Sequence, residues 1–205
     1  NPFQQFKVDS LWTNTRKRAI TKEDIHKLIE LDLSERDFYT QLAKDIFLFS
    51  YFMAGINFKD IALLTYGDID NGRIYYARRK TGKMMNCCLT EQAQEIIDKY
   101  DTSGTPYLLP IIRDMKEDAR KQYKSEAHRE NQSLKKIGKL LGLAIPLTSY
   151  VARHSWASIA KSKNIPIATI SEAMGHDSEN TTRIYLASLD TTVVDKANSL
   201  ILKSL

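Results

Sequence analysis

The chain has 205 residues, 42% of them hydrophobic and 27% charged, which suits one globular domain, with or without a short arm, that buries its own core. Thirty Lys and Arg against 25 Asp and Glu give a net charge of +5, compatible with a polyanionic partner without demanding one. The longest nearly apolar run, Ile46 to Ile56, is shorter than the about 20 residues a bilayer span needs, so a membrane protein of the helical kind is excluded as a reading.

Residues 1–20 show no periodicity and carry Lys7, Arg16, Lys17 and Arg18, the composition of a basic arm or linker. The chain opens on Asn1-Pro2-Phe3 without an initiator Met or a signal peptide, and a piece of a longer protein is expected. Thr21 with Asp24 three residues on has the shape of a capping box and predicts a helix through about Leu33. A second helix is predicted from Glu35 or Arg36 to Met53, because Leu42, Ile46, Phe49 and Met53 share one face. Gly55 ends it, and a short helix with Ile61, Leu63 and Leu64 follows.

The period then changes. An Asn71-Gly72 turn lies between β-prone Tyr66 and Ile74-Tyr75-Tyr76, and Lys80-Thr81-Gly82-Lys83 makes a second turn before Met84 to Leu89. These segments predict a small three-stranded antiparallel sheet. Within the last of them Cys87 and Cys88 are adjacent, a spacing that seldom bridges, and no zinc-ligand pattern surrounds them; a reducing cytosol is the expected compartment. Helices are predicted again at about 91–100, 114–142, 148–162, 166–174, 178–186 and 189–203. The fold class is therefore mainly α with one small antiparallel sheet.

Three elements near the end of this series carry chemistry. Tyr150-Val151-Ala152-Arg153-His154-Ser155-Trp156 opens a helix, Met174-Gly175-His176-Asp177 follows, and Thr181-Thr182-Arg183-Ile184-Tyr185 closes the set. Arg153 precedes His176 by 23 residues, and Tyr185 follows His176 by 9. Taken singly each has a plainer reading: a surface ion pair, a helix C-cap, an aromatic at the rim of an amphipathic helix. Together, in this order, they resemble the C-terminal signature of the tyrosine recombinases, the phage-integrase family: Arg-His after a helix start, Leu/Met-Gly-His, then Thr-Thr-x-x-Tyr.

The resemblance extends over nearly the whole chain. Ala54-Gly55-Ile56-Asn57-Phe58-Lys59-Asp60-Ile61 looks like the family's first box, and Arg78-Arg79-Lys80-Thr81-Gly82-Lys83 is similar to the hairpin holding its catalytic Lys. The arm ending in Arg16-Lys17-Arg18 resembles the linker that follows a separate N-terminal DNA-binding domain. The organisation this implies is a linker over 1–20, a catalytic domain over 21–186 and a C-terminal tail helix over 187–205, with the N-terminal core-binding domain outside this chain. It further implies a homotetramer on paired double-stranded DNA sites, with the helix from about Asp190 to Ser204 exchanged in trans.

The residue types fit phosphodiester exchange without a cofactor. A phenol, with its pKa near 10, attacks a phosphate and remains a competent leaving group when a DNA hydroxyl attacks back, so Tyr185 is the expected nucleophile. Guanidinium forks bind two non-bridging oxygens at once, the role expected of Arg153. His176 is expected to donate to phosphate and help take the Tyr185 proton. Lys80 is expected to protonate the departing 5′-oxygen, with Lys83 the alternative. Two positions depart from the family pattern: Asn57 stands where an Arg is usual, and Tyr150 where a His is usual. Residues two apart on a strand share a face, so Arg78 beside Lys80 is the expected replacement guanidinium, with Arg79 pointing elsewhere. Arg73, Arg79 and Lys83 in an acid-free stretch, together with Arg16 and Arg18, are the expected DNA-backbone contacts. A type IB topoisomerase and a silent DNA-binding module built on the same fold remain the alternatives.

Overall fold

The computed structural model describes residues 19–187. The expected basic arm with Arg16 and Arg18, and the tail helix after residue 187, lie outside the described residues. Capping chemistry sets most boundaries. Helix α1 (Lys22–Glu30) begins where Thr21 Oγ1 accepts the Asp24 amide at 3.1 Å. It stops three residues before Leu33, because Asp32 accepts the Ser34 amide at 2.8 Å in a turn that drops Leu33 into the core. Helix α2 (Phe38–Phe52) starts on Asp37, which accepts the Thr40 amide at 3.0 Å. Its predicted stripe of Leu42, Ile46 and Phe49 is buried, and so are Ala43, Phe47 and Leu48 on other faces. A helix apolar nearly all round belongs in the centre, and α2 packs against four others, introduced below.

After α2, Ala54 and Gly55 take φ values of 56° and 77°, which turns the chain sharply into α3 (Phe58–Ile61). Leu63 and Leu64 fall beyond that helix. Tyr66 does not join the sheet as expected: the Asp68 carboxylate accepts the Thr65 amide at 2.7 Å and folds Tyr66–Asp68 into a 3-10 turn. The sheet is antiparallel in the order β1 (Ile69–Asp70), β2 (Arg73–Ala77), β3 (Met84–Cys88). Its register pairs Ile69 with Ile74, Arg73 with Cys88 and Ala77 with Met84. One face buries Ile74 and Met85; the other exposes Tyr75 and Met84.

Helix α4 (Glu91–Asp98) is capped by Thr90, and α5 (Ala119–Leu140) by Asp118. The predicted start of α5 at residue 114 is five residues early: the Gln122 side chain accepts from the Arg113 and Asp114 amides and holds that stretch as a loop. Helices α6 (Ser149–Ser162), α7 (Ile167–Ala173) and α8 (Glu179–Ala187) follow. The main core gathers α2 with α4, α5 and α6. A separate small cluster of Ala157, Ala160, Ile170, Met174 and Leu186 ties α7 and α8 to the far half of α6. Of the buried acids Asp45, Asp60, Glu126 and Glu130, it is Glu130 on α5 whose carboxylate oxygens have no hydrogen-bond partner among the described residues. No helix among the described residues is long and apolar enough to cross a membrane.

Candidate active site

Arg153 sits one turn into α6, only 4% exposed, with its guanidinium held by backbone carbonyls. Nη1 donates to Gly55 O at 2.8 Å and Nη2 to Met174 O at 2.5 Å. The Gly55 turn packs directly on the Arg153 backbone, since a Cβ there would lie 2.8 Å from Arg153 Cα. Burial, then the nearby Arg78 cation, pulls the Arg153 pKa below the ordinary guanidinium value. Among the described residues Arg153 forms no ion pair with a carboxylate.

The second guanidinium comes from the β2–β3 turn. The strand argument for Arg78 fails, because β2 ends at Ala77 and residues 78–83 form the turn, closed by Arg78 N to Lys83 O at 2.9 Å. Arg78 is nevertheless buried, with Nη1 donating to Gly175 O and Nε buried without a hydrogen-bond partner among the described residues. Arg79 is exposed and borders the same cleft, and its amide donates to Asp60 Oδ1 at 2.8 Å. Asp60 thereby ties the turn to α3, and its other oxygen lies 3.5 Å from Asn57 Nδ2. Lys83 donates to His176 O at 3.3 Å, whereas Lys80 is exposed at the cleft wall. Arg73 lies away from the cleft, donating to Asn86 Oδ1 across the sheet at 2.5 Å.

His176 Nε2 lies 3.2 Å from Arg153 Nη2, and Nδ1 lies 2.8 Å from Thr182 Oγ1. Burial and then the Arg153, Arg78 and Lys80 cations lower its pKa to about 4, so the ring is neutral at physiological pH. Tyr185 stacks on the His154 ring at 4.6 Å between centroids with 5° between planes, and meets His176 edge-on at 5.7 Å. The half-exposed Tyr150 ring stands edge-on to His154 at 4.4 Å. His154, Asp60 and Thr182 were not singled out in the sequence. His154 lies one turn after Tyr150, and Thr182 one turn before Tyr185, spacings that place each pair on one helix face.

A cleft of about 500 Å³ is bordered by Arg78, Lys80, Tyr150, Arg153, His176 and Tyr185, with Asn57 on its rim. The structure thus brings all six expected catalytic side chains to one cavity, and leaves Arg73 outside it.

A model of the phage integrase family matches residues 18–192. The chain belongs to the phage integrase family. Among solved structures, this phage integrase domain is similar to XerA recombinase, with a TM-score of 0.62 and 18% identity over 93% of this chain and 65% of XerA. It is also similar to the Tn1549 transposon integrase in complex with circular intermediate DNA, with a TM-score of 0.64 and 15% identity over 98% of this chain and 70% of that one. A lambda integrase dimer bound to a core site gives a TM-score of 0.58 and 17% identity over 85% of this chain and 61% of that one. These likenesses share a fold: a mainly helical domain with a three-stranded antiparallel sheet. The chain spans just under two thirds of XerA and 53% of XerH site-specific recombinase. No curated protein matches the sequence.

Proposed function

We propose that this phage integrase domain is the catalytic part of a site-specific DNA recombinase that cuts and rejoins DNA through a 3′-phosphotyrosyl link. The observation that carries the reading is electrostatic. Two buried guanidiniums, Arg78 and Arg153, face one cleft without a carboxylate ion pair among the described residues, and Lys80 and Tyr185 border the same cleft. Buried cations without an ion-pair partner are costly, and a phosphodiester is an anion whose charge and pair of non-bridging oxygens suit them.

In this reading Arg153 and Arg78 hold the non-bridging oxygens of the scissile phosphate. Tyr185 Oη attacks phosphorus while the bond from phosphorus to the DNA 5′-oxygen breaks. The phenol proton passes to His176 Nε2, and Lys80 gives a proton to the departing 5′-oxygen. Rejoining is the reverse. Tyr150 donates from its phenol to phosphate where the family usually has His. Arg73, Arg79 and Lys83 contact the backbone of the duplex, as do Arg16 and Arg18 from the linker. The chain falls in a subgroup without the first-box Arg, with a linker over 1–20, the catalytic domain over 21–186 and a tail helix over 187–205. Its partners are double-stranded recombination sites, on which it acts as a tetramer that exchanges the tail helix in trans.

The second reading, a DNA-binding module without catalysis, is favoured by the uncharged Asn57 and by Tyr150. Incubation with nicked suicide DNA sites separates the two. A covalent protein–DNA adduct that disappears in Tyr185→Phe supports the recombinase. Sequence-specific binding with no adduct, or an adduct that survives Tyr185→Phe, overturns it.

A further inference from the structure

We propose that Thr182 is a positioning residue: it accepts from the Nδ1–H that Arg153 imposes on His176, so that the helix carrying Tyr185 also fixes the orientation of the ring facing the reaction. A guanidinium has donors only. The 3.2 Å contact between Arg153 Nη2 and His176 Nε2 is therefore a hydrogen bond only if Nε2 offers its lone pair. In a neutral ring the proton then sits on Nδ1, and the 2.8 Å contact to Thr182 Oγ1 is Nδ1–H donating to the hydroxyl. The opposite arrangement, with Thr182 donating to Nδ1, sets Nε2–H against Arg153 N–H, donor against donor. Thr182 is fully buried, which leaves no solvent-facing water to take its place.

Thr182 lies one turn before Tyr185 on α8, so both face the site from the same helix. The lock on the imidazole and the nucleophile consequently arrive together. Once a phosphate draws Arg153 Nη2 toward its own oxygens, the Nε2 lone pair is released beside Tyr185, and a ring without Thr182 has no fixed orientation for it. This second half rests on the recombinase reading; the tautomer does not.

Two measurements test it. In long-range ¹H–¹⁵N spectra of the ¹⁵N-labelled 205-residue chain, with the signal assigned by its loss in His176→Gln, His176 is expected to show protonated Nδ1 and bare Nε2. Thr182→Val, which removes the acceptor of Nδ1–H while Arg153 still opposes Nε2–H, is expected to replace the single native pattern by one averaged between the two tautomers, leaving the signals of His26 and His128 in place, and Thr182→Ser is expected to retain the native pattern. On nicked DNA sites Thr182→Val is expected to slow adduct formation about 10- to 100-fold, the usual effect of removing an orienting partner, with DNA affinity unchanged and Thr182→Ser restoring the rate. A wild-type ring protonated at Nε2, or a Thr182→Val ring and cleavage rate like wild type, overturns the proposal. Spectra as expected with no adduct from the wild-type chain keep the tautomer assignment and overturn the recombinase reading instead.

Discussion

Gly55, Gly72 and Gly175 share a left-handed backbone and differ in what surrounds them, so Ala substitutions separate backbone strain from packing. Gly72 has φ of 70° and open space where a Cβ would go. Gly72→Ala should cost only the conformational penalty, about 1 kcal/mol. Gly55 has φ of 77°, and its Cβ would meet Arg153 Cα at 2.8 Å and Cγ at 2.9 Å. That obstacle is the backbone of a core helix and cannot step aside, so overpacking adds about 2 kcal/mol to the same penalty, for about 3 kcal/mol in all. Gly175 has φ of 62° and would meet Met85 Sδ at 2.7 Å, the far end of a flexible thioether that can turn away. Gly175→Ala should fall between the other two. With a urea slope of about 2 kcal/mol per M for a domain of this size, the midpoints should drop by about 1.5 M for Gly55→Ala and about 0.5 M for Gly72→Ala. Far-UV circular dichroism in urea reads all three. Equal midpoint shifts for Gly55→Ala and Gly72→Ala would show that the turn does not press on Arg153, and the account of how Arg153 is held would be wrong.

Burial and the neighbouring Glu126 raise the Glu130 pKa well above the carboxylate range. Its folded pKa exceeds its unfolded one, so its contribution to stability is full below about pH 4.3 and is lost as pH rises, by up to about 1.4 kcal/mol per pH unit. Glu130→Gln should flatten that decline in urea titrations between pH 5 and 8; an unchanged slope would contradict it. His176 has the opposite sign: its folded pKa of about 4 lies below the unfolded value, so its stabilising effect is complete above about pH 6.5 and falls away toward pH 4. His176→Gln should make the midpoint less sensitive to pH over that window. For the same reason adduct formation should show no His176 inflection near pH 6.5, and a rate that halves there on acidification would place the ring in another state.

Much of the site was legible because its residues lie on contiguous motifs with helical spacing. Arg153, His176 and Tyr185 stood out because their motifs, in that order and at that separation, resemble the family's signature, and the structure brings them to one cleft. The antiparallel sheet followed from Asn71-Gly72 and the β-branched and aromatic flanks, since that dipeptide suits the positive φ values of 47° and 70° found there. What was not legible depends on contacts between distant segments. Asp60 reads as an ordinary first-turn acid of α3, and only the fold shows it bonded to the Arg79 amide of the hairpin turn. Lys80 is the expected acid in the sequence with Lys83 as the alternative; in the fold Lys83 donates to His176 O while Lys80 borders the cleft. Tyr66 went into a turn because a side-chain acceptor two residues on outcompeted its β propensity.

The same long-range logic bears on the missing first-box Arg. Asn57 is half-buried on the cleft rim beside Asp60, and carries no charge. Arg78 comes from the β2–β3 turn, braced on Gly175 O, and supplies a second buried guanidinium close enough to Arg153 to lower its pKa. If Arg78 replaces the absent group, its charge and its fork are both required. Arg78→Ala should lower adduct formation about 10²- to 10³-fold, the range for losing one donor to a charged transition state, and Arg78→Lys should recover only part of it. The decisive variant is Asn57→Arg, which returns a guanidinium to the rim. In the Arg78→Ala background it should raise adduct formation, and in the wild-type background it should do little or harm, because a third cation then joins two that have no carboxylate ion pair among the described residues. Equal effects of Asn57→Arg in both backgrounds, or full activity in Arg78→Ala, would mean that Arg78 only braces the Gly175 turn and that this domain works with one phosphate-binding guanidinium.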